Sequence, residues 1–221
     1  MGLWPAAERE LIRAIELDTS YANAHLWYSV YLTIMGKHDD AIVEAKRAKE
    51  LDPISPLTSW ILGSILFYAR QYDQVIKECR YSLEINPGNL LPHLLISMAY
   101  IKKQAFNEAA LQMKKALELS ENSDQLPTLR LMLSYILKGK IDELSKVIDD
   151  LDKGLRKDYF SPYNIAAIYV SMGQKEQAFK WLERAYEEHD CWIIVLKVDP
   201  KFDNLRSDPR FTALVKKIGL E

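Results

Sequence analysis

Four short strings decide how this chain folds: AIELD at 14–18, AKELD at 48–52, SLEIN at 82–86 and ALELS at 116–120. Each begins 34 residues after the one before it. The same step joins Ala7, Ala41, Val75 and Ala109, and again Ala14, Ala48, Ser82 and Ala116. Leu17, Leu51, Ile85 and Leu119 form a third column. Upstream of each string, Tyr28, Leu62 and Ile96 align, as do Ser29, Gly63 and Ser97, and Leu32, Leu66 and Tyr100. A fixed period of this size means one supersecondary unit repeated along the chain, each copy burying its apolar face against the next.

The columns read as a helix A, a tight turn and an antiparallel helix B. Small residues at Ser29/Gly63/Ser97 and Ala41/Val75/Ala109 let the two helices approach, and larger apolar residues fill the space beside them. Pro53 and Pro87 stop helix B, and Gly36 suits the A–B turn, where left-handed backbone favours glycine. The reading predicts helices at 5–17, 22–35, 38–51, 56–69, 72–85, 90–103, 106–119, 126–138, 141–153, 162–172, 175–188 and 209–218. In the second half Tyr135/Tyr169, Gly139/Gly173, Leu131/Ile165 and Leu151/Ala185 keep the step. Met132, Leu144 and Leu151 replace small residues there, so a kink is expected in the fourth repeat.

A 34-residue helix–turn–helix period is that of tetratricopeptide (TPR) repeats. The resemblance implies an all-α fold, a right-handed superhelix of antiparallel helix pairs closed by a C-terminal capping helix. The whole of 1–221 is then one solenoid: a half repeat at 4–21, repeats at 22–55, 56–89, 90–123, 125–158 and 159–191, and a cap at 192–221. In the cap, Ser207 or Asp208 can cap the last helix, Pro209 suits its first position, and Phe211, Leu214, Val215 and Ile218 form its apolar face. The run Trp192–Val198 is too apolar for a loop and is expected to pack under the cap. At the other end a lone helix B leaves Leu11, Ile12 and Ile15 partly uncovered. That edge is expected to be covered by a missing helix of a longer chain, or by a second copy in a homodimer.

Three stretches, WPAAERELIRAIELDTSYANAHLWYSVYL, SPYNIAAIYVSMGQKEQAFKWLERAYEE and WIIVLKVDPKFDNLRSDPRF, resemble the TPR portions of bacterial multidomain regulators. In those proteins the repeats follow a winged-helix, adenylate-cyclase-like or protein kinase domain. The Hsp70/Hsp90 co-chaperone subset of TPR proteins holds a terminal carboxylate with Lys, Asn and Arg on successive A helices. This chain has Leu26 and Val30, Ile61, and Leu91 and Leu95 there, so that clamp is absent.

By repeat position the A helices would line a concave groove with Leu26 and Val30, then Leu57, Trp60, Ser64, Phe67 and Tyr68, then Leu91, Leu94 and Met98. Leu129 and Leu133 extend it, and Phe160 and Tyr163 complete it. An apolar, aromatic surface of this kind suits a protein or peptide partner. An aromatic at helical spacing equally suits core packing, and both readings stay open for Trp60. The expected function is therefore a protein-binding scaffold. The alternative is a regulatory or self-associating segment of a larger regulator.

Composition agrees with a folded protein. Of 221 residues, 48% are hydrophobic and 27% charged, with a net charge of −2. Near-neutrality argues against nucleic acid as partner, and no apolar run approaches the roughly 18–20 residues of a membrane span. Two distant cysteines and no signal peptide point to the cytoplasm. No cofactor, metal or catalytic residue is expected. His25 and His93 share a repeat column, and His189 with Cys191 offers two ligands where zinc takes three or four. Lys46-Arg47-Lys49 and Lys114-Lys115 share their helices with acids, and they and Lys102-Lys103 read as solvated faces. Asp39-Asp40 and Asp149-Asp150 sit at helix starts or on exposed faces.

Overall fold

The structure, a computed structural model, describes residues 3–120 and 161–220. Seven helices fill the first part: α1 (Leu3–Leu17), α2 (Ala22–Met35), α3 (His38–Leu51), α4 (Pro56–Tyr68), α5 (Tyr72–Ile85), α6 (Leu90–Lys102) and α7 (Phe106–Leu119). The second holds α8 (Pro162–Ser171), α9 (Lys175–Glu187), two 3-10 turns (Cys191–Val195 and Pro200–Leu205) and α10 (Pro209–Ile218). The described residues are all helix, turn and loop. The helices expected at 126–138 and 141–153, and the kink of the fourth repeat, lie outside the described residues.

Each helix pair closes through one device. Gly36, Arg70, Gln104 and Gly173 follow the A helices with left-handed backbone, φ between 60° and 83°. Beside each, the next amide reaches back to an A-helix carbonyl: Lys37 to Leu32, Gln71 to Leu66, Ala105 to Tyr100 and Gln174 to Tyr169, at 2.9–3.0 Å. That is the 6→1 bond of a Schellman turn. Glycine was the readable signal at position 36; Arg70 and Gln104 hold the same conformation without it.

The A helices α2, α4 and α6 pack side by side, while the B helices α3 and α5 each pack on their own A helix and on the next one. The A row therefore lies on the inside of the curve. The small columns sit where the helices touch: Ser29, Gly63 and Ser97 are buried, as are Ala41, Val75 and Ala109. At Gly63 the approach is closest, since a Cβ there would stand 2.9 Å from Cys79 Sγ and 3.1 Å from Leu95 Cδ2. His25 and His93 bind helix A to helix B. The His25 ring lies 2.6 Å from the Glu44 carboxylate and the His93 ring 2.8 Å from Gln112 Oε1. Glu44 and Gln112 occupy one repeat column, so these histidines are structural.

The C-terminal module, residues 161–220, carries a shorter repeat that the 34-residue reading passed over. Asp190, Asp199 and Asp208 are nine residues apart, and each carboxylate accepts from the amide two residues on, Trp192, Lys201 and Arg210, at 2.9–3.0 Å. Three residues after each aspartate stands a buried Ile193, Phe202 or Phe211, and three further on a buried Leu196, Leu205 or Leu214. The pattern D-x-x-Φ-x-x-L starts a turn or helix three times and drives two apolar knobs inward each time. Trp192–Val198 accordingly packs beneath the cap, with Ile193, Val195, Leu196 and Val198 in one buried cluster with Phe211 and Leu214.

Candidate functional site

The A-row surface divides into two halves. The half at the C-terminal ends of the A helices is occupied by the chain itself. Ile34 is buried within the cluster of the C-terminal module, and Val30, Met35 and Tyr68 pack against it. Lys102 Nζ donates to the Pro200 carbonyl at 2.6 Å, and Arg70 pairs with Asp203 at 2.8 Å. Lys102, read from sequence as part of a solvated face, is instead partly buried. Burial lowers its pKa, with Asp203 and Asp199 opposing that shift. Burial also raises the Tyr68 phenol well above its ordinary value, aided by Asp199.

The other half, toward the N-terminal ends of the A helices, remains open. Leu57 is 45% exposed and Trp27 51%, while Trp60, Ser64, Leu91, Leu94 and Met98 are half-buried. Residues 57, 60 and 64 share one helical face, as do Trp27 and Val30. Trp27 is an addition to the residues expected from sequence. Its column partners Ile61 and Leu95 are buried, so repeat position alone pointed inward, and only its place in the first complete repeat leaves it uncovered.

Several residues read as groove are core. Leu26 and Phe67 are buried among the repeats, because neighbouring A helices close over those positions. Tyr163 is fully buried; its ring lies 4.9 Å from that of Phe202, and its hydroxyl donates to Asp199 at 2.8 Å. Asp199 is itself buried, and it accepts in addition from the Lys201 amide at 2.9 Å and pairs with Lys201 Nζ at 3.1 Å. Leu129, Leu133 and Phe160 lie outside the described residues. On α1, Leu11 packs against the repeats, while Ile12 and Leu17 stay exposed.

Among the described residues no three His, Cys, Asp or Glu side chains gather as a metal site. No described helix is long and apolar enough to cross a membrane. Cys79 is buried, which pushes its thiol up to about 12; Cys191 is exposed.

The Tetratricopeptide repeat family model matches residues 93–123 and 163–188. Those two segments match tetratricopeptide repeats. The crystal structure of a thermophilic TPR protein of Thermus thermophilus is similar at a TM-score of 0.51 and 16% identity, over 96% of this chain and 91% of that one. YrrB, described as a TPR protein with an unusual peptide-binding site, gives a TM-score of 0.50 at 19% identity over 84% and 95%. MamA gives 0.50 at 15% over 86% and 90%. At these identities the likeness is one of fold: the described residues form an all-helical TPR solenoid. No curated protein matches its sequence.

Proposed function

We propose that this solenoid is a scaffold that binds a protein segment on the open half of its A-row surface, around Leu57, Trp60 and Leu91, with Trp27 at the edge. The observation that carries the reading is the exposure of Leu57 beside the half-buried Trp60 and Leu91. Large apolar side chains left in water on a curved surface mark a binding face, and tryptophan is a favoured anchor. Ser64, Leu94 and Met98 form the floor beside them, while Val30 and Tyr68 lie against the C-terminal module. The partner suited to this face is an apolar helix or an extended segment.

Selection of displayed random peptides on the intact chain tests this, with Leu57→Ser/Trp60→Ser as the counter-target. Sequences that bind the chain and not the variant support it. Equal binding to both, or no enrichment, refutes it.

The second reading makes the chain a self-associating or regulatory segment of a larger protein, such as the regulators its sequence resembles. Ile12 and Leu17, exposed on α1, favour it. Light scattering on the chain and on Ile12→Glu decides: a dimer lost in the variant supports it, and a wild-type monomer at high concentration removes it.

A further inference from the structure

The described chain holds two substantial apolar cores. One fills the repeats from α2 to α6, the other the C-terminal module, and Ile34 alone among the described residues of α1–α7 is buried in the second. Trp4, Val30, Met35 and Tyr68 are partly buried against both. Around this apolar strip lie polar contacts, Lys102 to the Pro200 carbonyl and Arg70 to Asp203, and Val198 faces the α2–α3 turn, 3.9 Å from where a Cβ on Gly36 would stand. Two cores joined through a few shared side chains and rimmed by polar contacts describe a docking interface rather than one continuous interior. An aliphatic knob, a main-chain carbonyl held by a cation and a carboxylate paired with arginine are also the elements by which a groove holds a peptide.

We propose that the segment 191–206 is an intramolecular ligand of the solenoid: it occupies one half of the A-row surface in competition with an external partner, which gains that half only when the C-terminal module lifts away. This rests on the protein-binding reading above and extends it to the partner's chemistry. A segment able to displace the module offers an aliphatic side chain to Ile34 and Val30, a carbonyl to Lys102 and a carboxylate to Arg70. In the docked state an external segment reaches only the half around Leu57 and Trp60.

Thiol labelling of the full-length chain reads the docking without any partner. In a Cys191→Ser background, Ile34→Cys places a thiol in the seam, and the native Cys79 reports opening of the repeat core. Met35→Cys is the second variant on the same seam, used if Ile34→Cys fails to fold. The seam thiol is expected to react at least about tenfold faster than Cys79. Arg70→Asp, which faces Asp203 with a like charge, is expected to speed the seam thiol about threefold and leave Cys79 unchanged; adding Asp203→Arg restores the original rate. Equal rates at the two thiols, or a charge change that moves both together, would overturn the docking claim.

Peptides selected on the chain are expected to bind Asp203→Ala, which frees the module from Arg70 and leaves Arg70 for the partner, about threefold more tightly than wild type. Equal affinities would overturn the competition while leaving the binding reading intact. A failed selection would remove the binding reading, and with it the competition, while the thiol rates still decide whether the module docks reversibly.

Discussion

Gly63 is where the repeat register makes its sharpest demand. A methyl placed there meets Cys79 Sγ at 2.9 Å and Leu95 Cδ2 at 3.1 Å. Both neighbours are buried, so neither can swing into solvent. Overpacking of this kind costs about 1–3 kcal/mol. Against it stands the gain of alanine over glycine inside a helix, about 1 kcal/mol. The difference is about 0–2 kcal/mol, and two contacts this short against buried neighbours put Gly63→Ala in its upper half, a loss of about 1–2 kcal/mol. The first repeat shows one way the clash is relieved: Ser29 stands in the column of Gly63 and the small Ala45 in the column of Cys79, whereas the third repeat combines Ser97 with Met113, an unbranched side chain that can bend away from a Cβ. Cys79→Ala should create the first repeat's pairing in the second repeat, and the double variant should be no less stable than Cys79→Ala alone. The coupling between the two sites is then at least about 1 kcal/mol, as for residues in direct contact. Urea denaturation followed by far-UV circular dichroism measures all four chains. A Gly63→Ala chain as stable as wild type, or effects that simply add, would refute the packing register.

Tyr163→Phe removes the donor to buried Asp199 while keeping the ring on Phe202, and thermal melts should show a loss of about 1–3 kcal/mol for an under-satisfied buried acceptor. Arg210 bonds Glu176 with both guanidinium nitrogens and also holds Asp208. Hydrogen bonds from Arg210 lower the Glu176 carboxyl from its ordinary 4.5 and bring Asp208 from 3.8 to about 2. Depressed carboxyl pKa values stabilise the fold above the unfolded-state values, and that contribution is lost as pH falls through the folded ones. The docking of α10 should therefore weaken between about pH 4.5 and 2, and Arg210→Ala should flatten the pH dependence of melting across that window.

The repeats were legible because 34-residue spacing fixes the turns, and turns fix helix ends: α2, α3, α5, α7 and α10 match their expected bounds to the residue. Leu26 and Phe67 were read as groove because helical spacing alone does not separate the face a helix turns to the groove from the face it turns to its neighbour. The return of the C-terminal module was hidden for another reason. Lys102 meets Pro200 across 98 residues and Arg70 meets Asp203 across 133, and no local pattern encodes such pairing. The nine-residue D-x-x-Φ-x-x-L repeat was present in the sequence, but its period falls below the roughly 20–50 residues in which repeat architectures are sought.

The central claim is that the half-buried indole of Trp60 serves a partner more than it serves the core. Titration calorimetry of a selected peptide against the chain and against Trp60→Ala, with a thermal melt of each, tests it most directly. Loss of a binding anchor commonly costs about 2 kcal/mol or more, so affinity should fall at least about tenfold while the melting temperature changes little. Unchanged affinity in the folded fraction, together with a stability loss of about 3–5 kcal/mol as for a truncated core aromatic, would contradict it.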